Sequence, residues 1–219
     1  MKITKNRKQM LNNFDTNKVY ELHEAIKILK DKSYVKFNET IDISINLGID
    51  NNKSDQNIKG VVNLPKGSGK NVKVAVIAND DKHNDAKSSG ADIVGSDDLI
   101  ETISNSKIEF DLLIATPDMM PKLGKVAKIL GPKGLMPNPK LGTVTNEISQ
   151  SVKDAKSGQV KFKNDKSGIV HAGVGKIDFS EEDLLENIKT FYSSVVKSKP
   201  DAVKGSFIKK VTITSNSST

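Results

Sequence analysis

The chain has 219 residues, enough for one large domain or two small ones, and either can bury a core without a covalent staple. It has no cysteine, which excludes disulfides, thiolate zinc sites, iron–sulfur ligation and a cysteine nucleophile. Lys and Arg number 34 against 27 Asp and Glu, and the net charge of +7 points to a polyanionic partner such as nucleic acid.

Arg7 is the only arginine, so the positive charge is almost all lysine, which meets phosphate as a point charge without the planar fork of arginine. Aromatic residues are few and tryptophan is absent, which disfavours extensive base stacking on aromatic platforms. The longest apolar stretches, residues 74–78 and 112–115, fall far short of the roughly 20 residues that span a membrane. The first 15 residues are basic with no apolar core behind them, so they are not a secretory signal. A soluble cytoplasmic protein is expected.

Residues 20–32 place Leu22, Ala25, Ile26 and Leu29 at helical spacing. Residues 40–47 alternate, with Ile41, Ile43, Ile45 and Leu47 on one face and Asp42, Ser44 and Asn46 on the other, as expected for an antiparallel strand with one wet face. Residues 58–64 read as a second strand, ended by Pro65. The pattern then changes to short apolar strands (72–78, 90–95, 110–115) alternating with helices (81–89, 96–103), the pattern of a parallel, doubly wound unit. Pro117 opens a helix over 122–130, a Gly/Pro-rich loop fills 131–142, and 146–155 is helical. Alternation returns after Gly158. Val160 and Phe162 sit in one strand and residues 169–174 in another, joined as a hairpin across a turn at 164–168. Ser180 to Asp183 reads as a capping box, opening a helix with Leu184, Leu185, Ile188, Phe191, Tyr192 and Val195 on one side. The last strand, 206–214, alternates Phe207, Lys209, Val211 and Ile213.

The two ends therefore look alike and the middle differs. The expected architecture is α/β in two domains: a discontinuous α+β domain with a mainly antiparallel sheet (1–66 plus 159–219), and an inserted doubly wound, Rossmann-like domain (67–158). The Gly/Pro-bearing crossings at 65–69 and 156–158 read as a hinge. Charge divides along the same line: the segments 1–66 and 159–219 carry +4 and +3, and 67–158 sums to zero. That middle part is polarised, because residues 121–140 hold Lys122, Lys125, Lys128, Lys133 and Lys140 without one acid.

Residues 64–71 look like a phosphate loop but fail as one: the glycine required six residues before the lysine is Leu64, and Asn71 stands where Ser or Thr is needed. No dinucleotide fingerprint follows a strand. His23, His83 and His171 show no metal-ligand spacing, and no Ser–His–Asp set is evident. No catalytic residue, metal site or cofactor is expected. Three basic clusters look instead like phosphate and ribose contacts: 36–40 around Phe37, 161–168 across the turn, and 204–209 at the last strand. Read singly, each is also an ordinary lysine-guarded sheet edge.

The run ILGPKGLMPNPKLGTVT at 129–145, with LGID at 47–50, SDQN at 54–57 and FKNDKSGIVHAGVGK at 162–176, resembles the bacterial ribosomal protein L-one family, the large-subunit stalk proteins. The resemblance extends from about Leu22 to Ile213. It implies a monomer when free that binds large-subunit ribosomal RNA at a mobile stalk near the tRNA exit site, and assists release of deacylated tRNA. It also implies a translational repressor that binds its own mRNA. The family's RNA-facing positions fall on Lys36, Phe37, Glu39 and Thr40, on Lys163, Asp165, Lys166, Ser167 and His171, and on Lys204, Gly205 and Ser206. Lys133 and Lys140, in the glycine-rich loop, would hold phosphates of a second stretch of stalk RNA. One departure stands out: where the family carries an RNA-touching Thr-Met-Gly segment, this chain has Asn216-Ser217-Ser218 and stops at Thr219. Two other classes remain to be distinguished, a nucleotide-using enzyme and a protein scaffold without RNA.

Overall fold

The computed structural model describes residues 18–33, 35–51, 53–105, 108–203 and 205–216. The readings made for the N-terminal segment, Lys204 and residues 217–219 lie outside the described residues.

The first elements are helix α1 (Leu22–Asp31), strand β1 (Thr40–Leu47) and strand β2 (Lys59–Asn63). The middle of the chain forms β3 (Val74–Ile77), α2 (His83–Ser88), β4 (Ile93–Gly95), α3 (Asp97–Ser104), β5 (Leu112–Ala115), α4 (Met120–Leu123), α5 (Ala127–Leu130) and α6 (Ile148–Lys156). It closes with β6 (Gln159–Lys163), β7 (Ile169–Lys176), α7 (Glu181–Lys197) and β8 (Ile208–Ser215).

The alternation in β1 is realised in full. Ile41, Ile43 and Ile45 are completely buried and Leu47 nearly so, each gaining about 2 kcal/mol over exposure. A strand with one such face becomes the centre of a sheet, and β1 pairs antiparallel with β7 on one side and β8 on the other. Helices α1 and α7 cover the apolar face: Ile26, Leu184, Ile188, Phe191 and Val195 share one core with the isoleucines of β1. Ser180 caps α7 as its sequence predicts, its hydroxyl accepting from Asp183 N at 3.0 Å. Tyr192 departs from the predicted apolar side and is exposed.

In the middle, β4, β3 and β5 form a parallel sheet in that order. Every residue of β3 and β5 is buried, as a sheet covered on both faces requires. Ala75, Ile77, Leu113 and Ala115 pack with α3, α4 and α5, while Val74, Val76, Leu112 and Ile114 pack with α2 and α6. The fold class is thus the expected one: antiparallel sheets from the two chain ends and a doubly wound parallel sheet from the middle.

Two local expectations are corrected. Strands β6 and β7 do not pair as a hairpin. Strand β6 pairs with β2 in a separate two-stranded sheet and β7 pairs with β1, leaving only a bridge between Asn164 and Val170. The chain does turn there, but Asn164 Oδ1 accepts from Ile58 N at 2.7 Å and holds the end of β6 against the approach to β2. The helix expected over 122–130 is broken into short α and 3-10 turns from Pro117 to Leu130. The backbone departs from helical geometry at Val126, with φ −101° and ψ 3°, yet Met119, Leu123, Val126 and Leu130 still line one buried face.

Candidate nucleic-acid interface

The polar face of the β7–β1–β8 sheet is open. Register places Ser44 beside His171 and Thr212, Asp42 beside Gly173 and Thr214, and Asn46 beside Ile169 and Lys210. Ser44 Oγ lies 3.0 Å from His171 Nδ1, and His171 Nε2 lies 3.6 Å from Asp165 Oδ2. Hydroxyls, an imidazole and an amide thus form rows across three strands, a surface suited to ribose and phosphate oxygens.

Most of the expected contact residues lie towards the two ends of this face, while His171 sits between them opposite Ser44 and Lys163 lies on β6 of the two-stranded sheet. At the start of β1, Lys36 and Phe37 are exposed, Phe37 by 58%. Thr40 is half-buried, and its hydroxyl accepts from Lys176 Nζ at 2.7 Å. Glu39 is different. It is completely buried, its carboxylate accepting from Ser33 Oγ at 2.6 Å and Ser215 Oγ at 3.2 Å. Expected to face RNA, it instead ties the loop before β1 to the end of β8, because those hydroxyls close over it.

The other end is built by a turn and a loop that meet. Asp165 Oδ1 accepts from Ser167 N and Ile169 N, both at 2.8 Å, shaping the turn that displays Lys166 and Ser167. The bond from Ile169 N, then that from Ser167 N, and His171 hold its carboxyl below the usual carboxylate range. Lys163, Lys166 and Ser167 are exposed. Leu47 N donates to Gly168 O at 2.9 Å and Gly48 N to Phe207 O at 2.7 Å, drawing the turn and the start of β8 onto the end of β1. Exposed Gly205 and Ser206 lie here, beside Gly48, whose missing Cβ leaves room for the Ser206 carbonyl. The two ends stand roughly 23 Å apart along β1, the span of a structured surface rather than of one phosphate site.

Lys133 is exposed on the separate glycine-rich loop, and Lys140 lies in the 3-10 turn Pro139–Leu141. A Cβ on Gly134 or Gly142 would meet nothing within 4 Å, so the backbone there is open to a close approach. The basic run is partly neutralised, since Lys122 Nζ pairs with Asp97 Oδ2 at 2.8 Å. Lys210, Thr212 and Thr214 were not among the expected contacts. Their signal is the complement of the β8 apolar alternation, read on the other face.

Asp42 sits in the middle of the interface. Burial pushes its carboxyl above the usual range, against the pull of Lys176 and His171. The folded state therefore holds this proton over a window just above the ordinary carboxylate value. Stability declines as pH rises through that window. Asp42→Asn is expected to raise the thermal midpoint at pH 7 by about 1–2 °C and to change it little at pH 3. Thermal melts at both pH values check this; a midpoint lowered at pH 7 would show that the charge is useful.

A family model described as ribosomal protein L1p/L10e matches residues 29–219. The chain belongs to that family. As an L1p/L10e protein it is a structural, RNA-binding constituent of the large ribosomal subunit, which sets aside the enzyme reading. Its place is in the ribosome, in translation. Among the described residues no helix is long and apolar enough to cross a membrane. None of their His and acidic side chains group as a metal site.

Proposed function

We propose that this chain is the bacterial-type stalk protein of its family. Residues 1–66 and 159–219 form the domain that binds ribosomal RNA at the mobile stalk near the tRNA exit site. Residues 67–158 form an inserted domain whose glycine-rich loop, with Lys133 and Lys140, meets a second stretch of stalk RNA. Movement between the domains assists release of deacylated tRNA. The same RNA face binds the protein's own message and represses its translation. The observation that carries this reading is the polar sheet face bounded at one end by Lys36 and Phe37 and at the other by Lys166 and Ser206. Lysines in that arrangement hold backbone phosphates, and the hydroxyl rows reach ribose oxygens between them.

Footprinting of a stalk-RNA fragment and of the upstream message, with the same protein sample, tests it. Both are expected to be protected, and each is expected to displace the other. Affinity should fall steeply with salt, by about 0.7–0.9 in log–log slope per phosphate held. Lys166→Ala is expected to reduce that slope by about one contact's worth and weaken both RNAs alike. An unchanged slope would remove the turn from the interface. Protection of the ribosomal fragment alone would remove repression.

A further inference from the structure

The crossing that leaves β2 is held down by side chains outside the RNA face. Asn187, on α7, is completely buried. Its Oδ1 accepts from Lys66 N at 3.1 Å, and its Nδ2 donates to Gly67 O at 3.0 Å and Val174 O at 2.8 Å. Only a neutral amide supplies an acceptor and two donors from one position; an aspartate has no donor for the two carbonyls. Lys66 Nζ is paired on the outside with Asp183 Oδ1 at 3.3 Å and Glu186 Oε2 at 3.7 Å. Gly67 N closes a turn on Leu64 O at 3.0 Å.

Two residues on, Gly69 rests against β7 and the loop after it: a Cβ there would stand 2.7 Å from Lys176 Cγ and 3.1 Å from Phe179 Cζ. The return crossing lies on the outgoing one. Leu64 N donates to Gly158 O at 3.3 Å, and a Cβ on Gly158 would overlap Gly67 Cα. Gly67, Gly69 and Gly158 all have positive φ, 72°, 67° and 106°, which lets two backbones and a wall of side chains meet without Cβ atoms. Beyond Gly69 this anchoring ends. Lys70 N donates only within the loop, to Ser68 Oγ at 3.4 Å, and by Lys73 the chain is bonded to Asp111, just before β5 of the middle sheet.

We propose that Asn187 is the positioning residue of the pivot between the domains. It fastens Lys66 and Gly67 to the first domain, so that rotation is confined to residues 70–72 on the way out and to the link between Ser157 and the anchored Gly158 on the way back. This rests on the two-domain reading given above, and it places the moving part later in the chain than the Pro65–Gly69 stretch that composition alone marks. A short pivot of this kind gives the inserted domain a defined arc rather than a loose tether.

The absence of native cysteine allows a direct test. Asp201→Cys and Lys87→Cys, both exposed positions, accept a donor and an acceptor dye in the full chain. Asn187→Ala is expected to broaden the single-molecule distance distribution at least 1.5-fold while affinity for a stalk-RNA fragment stays within twofold. An unchanged width overturns the role of Asn187. A wild-type width no greater than that of a dye pair placed wholly in the first domain overturns the proposed movement between the domains instead. Should Asn187→Ala not fold, hydrogen exchange of the wild-type chain decides: Lys66 and Gly67 amides are expected to exchange at least 100-fold more slowly than those of residues 70–72. Equal rates in the two groups overturn the proposal.

Discussion

Phe37→Ala is expected to weaken binding to a stalk-RNA fragment by about 10- to 100-fold and to leave the thermal midpoint unchanged. The ring is 58% exposed at the start of β1, outside the core formed by the sheet and its helices. A folded chain therefore has little use for it, and its removal should not disturb packing. Against RNA, one aromatic face stacked on an unpaired base contributes about 1–3 kcal/mol, which sets the expected range. Fluorescence anisotropy at fixed salt measures the affinity, and a melt of the same sample checks the fold. Tyr192→Ala supplies the control, since Tyr192 is 40% exposed but sits on α7, away from the polar sheet face. Equal losses from both substitutions would show that exposed aromatics matter only as sticky surface.

Phe191→Ala is expected to cost about 3–5 kcal/mol. Phe191 is completely buried and meets Phe162 edge to face, with centroids 5.5 Å apart and planes at 74°. The pair joins α7 to β6, so truncation opens a cavity where the two-stranded sheet leans on the helix. The cores of the middle sheet share no residue with this one. Calorimetry of the variant should therefore show one transition lowered by about 10 °C or more and another left in place. A single transition moving as a whole would show that the two parts melt together.

Where structure depends on nearby residues, it is legible in the sequence. Strand β1 announces itself through four alternating apolar residues, and α7 through Ser180 and its heptad-like apolar side. Partner choice is different. Val160 and Phe162 would suit any antiparallel neighbour, and whether that neighbour is β7 or β2 depends on Asn164 meeting Ile58, residues more than a hundred apart. Glu39 misleads for a related reason. Between Asn38 and Thr40 it reads as one more polar residue on a wet edge, and its burial becomes visible only when Ser33 and, from the far end of the chain, Ser215 close over it. The contact residues themselves are legible as clusters and by resemblance. Their arrangement at two ends of one sheet is not, because register between β1, β7 and β8 is a property of the assembled sheet.

The central position of β1 also governs when the molecule can become whole during its own synthesis. Ile43 is made early, and its neighbours Ala172 and Ile213 emerge only after the whole middle sheet has been translated. Through that interval β1 exposes an apolar face and two unpaired edges, while residues 74–156 already contain every strand and helix of their own sheet. The middle part is thus free to fold first, and the two ends then close on each other. A nascent chain halted before β8 would carry a finished insert on an unfinished, association-prone base.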